Sequence, residues 1–215
     1  GEEIDVTLMF ADLRGFTKMA DKRLPYDVVF ILNQYFELMG EAIESTDGYL
    51  DKFIGDGIMA IFGIRSGPNI GAKQAIGASI KMSQRLTELN QRLEGELKEP
   101  LRMGIGLHRG RAIVGNMGYG DTMSVTAIGS TVNTAARLEG TSKSLGVQLV
   151  ISQEVIDAAG VELPEHPLHE VEVRGRQDPL HVYAIEDASA LKPQKRRPTP
   201  DPIPEPDPSP HQAMS

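Results

Sequence analysis

Two long stretches of helical periodicity, parted by two short apolar runs, limit most strongly how this chain can fold. Between Pro25 and Ser45 the residues Val28, Val29, Leu32, Phe36, Met39 and Ile43 recur at helical spacing. Pro25 suits a first turn, and Asp47-Gly48 supplies the break. Ile76, Ile80, Leu86, Leu89 and Leu93 predict a second helix from Ile70 to about Leu97. Between the helices, strand-like runs at 49–54 and 58–63 flank Gly55-Asp56-Gly57, which reads as a hairpin with Asp56 at or near its tip. A strand-forming run at 6–11 precedes the first helix and ends at Asp12. Further on, 101–107 and 112–117 read as a strand pair separated by His108-Arg109-Gly110-Arg111, followed by strands at 124–128, 147–151, 168–173 and 180–185. Ser130 is placed to cap a helix running through Arg137 to about Ser144. Strands alternating with long helices predict an α/β (α+β) sandwich, a mixed sheet with helices packed on one face.

The 215 residues suit one domain, expected over 1–187. Eight prolines fall between Pro193 and Pro210, beside Lys192, Lys195, Arg196 and Arg197, which predicts an extended, disordered tail over 188–215. A net charge of −8 argues against a nucleic-acid partner, though not against a nucleotide accompanied by a metal ion. The absence of cysteine excludes disulfides and thiolate chemistry and agrees with a cytoplasmic setting. No apolar run approaches the length of about 18 residues that a membrane span requires. The abrupt opening at Gly1-Glu2-Glu3 points to a piece of a longer protein, with a regulatory or membrane portion expected upstream.

Asp12 closes a strand beside a glycine-bearing turn, a natural place for a divalent cation; it could equally cap the following helix. Asp56 alone fits ordinary hairpin-turn chemistry. If the first strand lies beside the hairpin, the two carboxylates meet at one sheet edge and could bridge two magnesium ions.

Three blocks then stand in order: Phe10-Ala11-Asp12-Leu13-Arg14-Gly15-Phe16-Thr17, Lys52-Phe53-Ile54-Gly55-Asp56, and Ile128-Gly129-Ser130-Thr131-Val132-Asn133-Thr134-Ala135-Ala136-Arg137-Leu138-Glu139. Over about 4–186 the chain resembles class III nucleotide cyclase catalytic domains, in particular adenylyl cyclases of the bacterial, threonine-containing subgroup. The resemblance implies a ferredoxin-like βαββαβ-type core and two divalent metal ions, Mg2+ with Mn2+ able to substitute. It implies metal binding by Asp12, Asp56 and the carbonyl of Leu13, and phosphate binding by the backbone of Gly15, Phe16 and Thr17. Asn133 would orient the ribose and Arg137 would stabilise charge on the transferring phosphate. Arg174 stands where the family usually has lysine against the triphosphate, with Arg176 as a rival, and Arg111 matches a further phosphate contact. Outside the motif, Arg137 would read as one half of a surface salt bridge. None of the five histidines lies in these blocks, and His108 reads as structural.

Lys52 and Thr126 stand at the family's base-reading positions. Adenine presents an N1 acceptor and an N6 donor, which a lysine donor and a threonine acceptor meet, whereas guanine calls for a carboxylate. The resemblance therefore implies conversion of ATP to 3′,5′-cyclic AMP and pyrophosphate, in a homodimer whose active sites are shared between subunits. Threonine at 126 also resembles a subgroup often stimulated by bicarbonate. The alternatives are a guanylyl cyclase and a catalytically silent nucleotide-binding or dimerisation module.

Overall fold

The computed structural model describes residues 1–197. The strand-forming run at the start becomes β1 (Glu2–Leu13), followed by the short α1 (Phe16–Ala20) and by α2 (Pro25–Glu44), which opens on its proline. The hairpin is β2 (Tyr49–Ile54) and β3 (Gly57–Phe62), and a second proline starts α3 (Pro68–Arg92). Then come β4 (Met103–Met117), β5 (Ser124–Ile128), α4 (Ser130–Leu145) and β6 (Leu149–Ser152). The described chain closes with α5 (Gln153–Ala159), β7 (Val161–Glu162), β8 (Leu168–Val171), β9 (Leu180–Ile185) and β10 (Gln194–Lys195).

Eight strands form one mixed sheet in the order β2-β3-β1-β4-β6-β9-β8, with β5 also on β4. Only β4 and β6 pair in parallel among these neighbours. The first four strands, with α2 and α3 as crossovers, give the expected βαββαβ core. Along β1 the side chains alternate between faces. Met9, Ala11 and Leu13 enter the main core with residues of α2, α3 and α5, such as Ile31, Met82 and Ile156. Val6 and Leu8 enter a second cluster with Ala135 of α4. Helices thus cover both faces of the sheet, not one.

The expected strand pair at 101–117 is a single strand. The whole of β4 from Met103 to Val114 pairs in unbroken register with β1, so His108-Arg109-Gly110-Arg111 lies inside the ladder. Its glycines serve close approach: a Cβ at Gly106 would stand 2.7 Å from the carbonyl oxygen of Ala135, and one at Gly110 2.7 Å from Thr131 Oγ1. Ser130 does not cap α4. Gly129 holds that position at φ 130°, and Ser130 is the first helical residue. On α2 the buried stripe runs through Ile31, Tyr35, Leu38, Met39 and Ile43, while Val29 is exposed. The second helix stops at Arg92, short of Leu97, because the chain turns at Gly95 (φ 86°).

The expected end of the fold at 187 is too early. Ala188 and Leu191 are buried in the main core, β10 pairs with β7, and Arg196 donates to Asp157 at 2.7 Å. These contacts hold 188–196 against the domain. The proline-rich stretch from 198 onward lies outside the described residues.

Candidate active site

The two candidate metal carboxylates come together as their elements require. Asp12 sits one residue from the end of β1, and Asp56 follows Gly55, whose φ of 61° forms the hairpin turn. Because β3 pairs antiparallel with β1, the hairpin tip returns to the end of β1. There the backbone N–H of Leu13 donates to Asp56 Oδ2 at 3.1 Å. Glu139 of α4 joins them from the other face of the sheet. Burial, followed by a hydrogen bond with Asp12 and the charge of Asp12, pushes its carboxyl up to about 8. Burial also raises the Asp56 carboxyl, the charge of Asp12 adds to this, and the Leu13 N–H opposes it.

This donor set fits divalent metal. The acidic groups crowd where β1 and the hairpin tip meet, and two of them are pushed toward their neutral forms, chiefly by burial and then by the charge of Asp12, which a cation would offset. All the donors are hard oxygens, suited to magnesium. Among the described residues no cluster of three or more His, Cys, Asp or Glu side chains is arranged to hold a metal ion. The candidates on the chain are the Asp12 and Asp56 carboxylates and the Leu13 carbonyl; magnesium ordinarily completes such a shell with water and phosphate oxygens. Next to them Gly15, at φ 65°, opens α1, and the backbone N–H groups of its first turn have no intrahelical acceptor. Gly15, Phe16 and Thr17 are thus brought beside the carboxylates.

Lys52 and Thr126 also converge, and the residue that joins them is Asp51. The β2–β3 register shifts between Leu50 and Lys52, leaving Asp51 as the extra residue of a bulge. Its side chain is fully buried, whereas that of Lys52 is 46% exposed. Thr126, on β5, donates its hydroxyl to Asp51 Oδ2 at 2.5 Å, and Lys52 Nζ lies 3.9 Å from Asp51 Oδ1.

Asn133 and Arg137 lie on one exposed face of α4, lining with Gly140, Thr141 and Ser144 an open groove of about 440 Å³. At about 100° per residue, Arg137 is turned about 160° around the helix from Glu139, and Asn133 about 120°. The face that meets Asp12 is therefore not the face that carries the Asn/Arg pair. Arg137 has no carboxylate within ion-pair distance among the described residues, so the salt-bridge alternative does not hold there.

The three remaining arginines separate. Arg174 is exposed on the turn formed with Gly175 (φ 92°), while Arg176 lies 4.0 Å from Glu154, leaving Arg174 the freer of the two. Arg111 is paired with Glu3 at 2.9 Å. It pairs with Asp5 on the ladder where Gly104 pairs with Asp12. Strand rise over seven residues puts these points about 23 Å apart, so one chain does not bring Arg111 to its own carboxylates.

Asp51 and Glu139 were not assigned roles from sequence. Asp51 adjoins Lys52, but strand alternation would send it to the opposite face, and only the bulge redirects it. Glu139 stands inside the third block, and its approach to Asp12 depends on α4 crossing the sheet at Gly106. His108 is structural as expected: it is buried against Ser152 Oγ at 2.9 Å. Burial, with Arg176 nearby, lowers its imidazole to about 4.

Residues 2–187 match the family model described as the adenylate and guanylate cyclase catalytic domain. An adenylate cyclase of Anabaena cylindrica is 32% identical over 190 residues, covering 84% of this chain and 36% of that protein. The chain spans between 9% and 36% of the length of that enzyme and two further curated relatives. Among solved structures, the guanylyl cyclase Cya2 is 32% identical with a TM-score of 0.77, covering 86% of this chain and 93% of that one. The adenylyl cyclase CyaB from P. aeruginosa is 28% identical with a TM-score of 0.75, covering 86% and 95%. One fold is thus shared by an adenylyl and a guanylyl cyclase.

Proposed function

The chain belongs to the adenylate and guanylate cyclase catalytic-domain family, and from that premise we propose that it is an adenylyl cyclase working as a homodimer with shared sites. The substrate is ATP, and the products are 3′,5′-cyclic AMP and pyrophosphate. The ribose 3′-oxygen gives up its proton to solvent and forms a bond to the α-phosphorus, while the bond from that phosphorus to the oxygen linking it to the β-phosphorus breaks, and that oxygen leaves as a terminal oxygen of pyrophosphate.

Asp12, Asp56 and the Leu13 carbonyl would hold the metal ions. When bound, two divalent cations would acidify the 3′-hydroxyl and neutralise triphosphate charge. The amides of Gly15, Phe16 and Thr17 orient phosphate oxygens. From the second subunit, Asn133 orients the ribose, Arg137 stabilises charge growing on the phosphoryl oxygens, and Arg174 holds the triphosphate. The shared arrangement is supported by α4, which turns Glu139 to its own Asp12 and Asn133 and Arg137 away. Arg111 lies far from the carboxylates of its own chain, so any phosphate contact it makes is across the dimer.

The observation that carries the adenine reading is the meeting of Lys52 and Thr126 at one carboxylate, which sets a cationic donor beside a hydroxyl. A guanylyl cyclase would need a hydrogen-bond acceptor for guanine N1–H, where Lys52 supplies a donor. The reading is tested by incubating the protein with ATP and Mn2+ and separating products by chromatography. Cyclic AMP from the wild type, and none from Asp56→Ala, is the expected result; an inert wild type points to the silent module.

A further inference from the structure

Asp51 has no part in holding metal, phosphate or ribose, yet its buried carboxylate is where the two base-reading side chains meet. Thr126 donates its hydroxyl to Asp51 Oδ2. The other oxygen, Oδ1, is buried without a hydrogen-bond partner, with the Lys52 ammonium 3.9 Å away. Burying a carboxylate this way is unfavourable, and a strand bulge is spent on directing it inward. Packing alone would be served by an apolar residue.

We propose that Asp51 is a positioning residue that fixes the hydrogen-bonding polarity of Thr126 and so selects adenine over guanine. A threonine hydroxyl has one proton and two lone pairs, and rotates to suit its surroundings. With its proton committed to Asp51, only lone pairs remain for the base. Adenine's N6 amino group donates into them. Guanine's O6 is itself an acceptor and meets them unfavourably. The same carboxylate attracts the Lys52 ammonium 3.9 Å away, so a committed acceptor and a cationic donor stand side by side, matching N6 and N1 of adenine. This inference rests on the ATP reading above.

The test compares kcat/KM for ATP, GTP and purine riboside triphosphate, which lacks the N6 amino group, in the wild type and in Asp51→Asn. Asparagine keeps the shape, but its amide can donate to Thr126 and free the hydroxyl proton. The GTP-to-ATP ratio of kcat/KM should rise about tenfold, mainly through a higher KM for ATP. The advantage of ATP over purine riboside triphosphate should shrink by about the same factor. Equal losses on all three nucleotides, or unchanged ratios, overturn the role of Asp51 and leave the ATP reading in place. A wild type that uses GTP better than ATP overturns the ATP reading itself. If Asp51→Asn does not fold, proton NMR of the wild type decides: a Thr126 hydroxyl proton in slow exchange is expected, and a freely exchanging one overturns the proposal.

Discussion

The backbone N–H of Leu13 donates to the Asp56 carboxylate at 3.1 Å, joining the end of β1 to the tip of the β2–β3 hairpin. Because Leu13 follows Asp12 directly, that bond holds Asp56 beside Asp12. The acidic groups are crowded there: burial first, and then the charge of Asp12, raise both Asp56 and Glu139.

Crowding of this kind sets function against stability. Asp12→Asn should lower cyclase activity by at least about a hundredfold, the worth of one strong transition-state stabilising group. The same change removes a repulsive charge, so the melting temperature without metal should stay level or rise. Calorimetry and product assays on one preparation check both.

Shared sites make a quantitative claim about mixed dimers. Asp12→Ala and Asn133→Ala should each be inactive alone. After subunit exchange, half the dimers are mixed and each holds one intact site of two, so about a quarter of wild-type activity should return. Exchange can be followed with differently tagged chains. No recovery despite proven exchange contradicts sharing.

His108 gives a pH dependence of stability. Its imidazole falls from 6.5 to about 4 on folding, so the folded state favours the neutral ring. The stability it contributes is full above about pH 6.5 and is lost as pH falls from there toward 4, in total about 3 kcal/mol. Denaturant titrations of the wild type and His108→Gln at several pH values check this: the difference between them should shift by one proton's slope in that window.

The seat of α4 on the sheet depends on Gly106, where an added Cβ would meet the helix backbone at the Ala135 carbonyl. Gly106→Ala should cost about 3 kcal/mol, the upper end for overpacking, and should lower the melting temperature and activity together. A variant melting with the wild type would mean that α4 lies further from β4.

Much of the fold was legible because it is punctuated locally. Asp56 between glycines marks the hairpin, and Pro25 and the apolar spacing after it mark α2. The run His108-Arg109-Gly110-Arg111 looked like a turn for the same local reason. Its glycine, Gly110, answers instead to a helix that crosses β4, which no window of neighbouring residues contains. Leu191 was hidden among prolines and basic residues, although its burial carries the domain past 187. At the site, Asp12, Asp56 and the Asn133–Arg137 spacing were readable from their blocks. Asp51 was not: strand alternation hides it, and the bulge that reverses its direction has no glycine or proline to announce it.

Direct competition between the two nucleotides tests the central claim. With equal ATP and GTP in one reaction containing Mn2+, the purified protein should release predominantly cyclic AMP, and Lys52→Glu should move product toward cyclic GMP. Predominant cyclic GMP from the wild type would contradict the account.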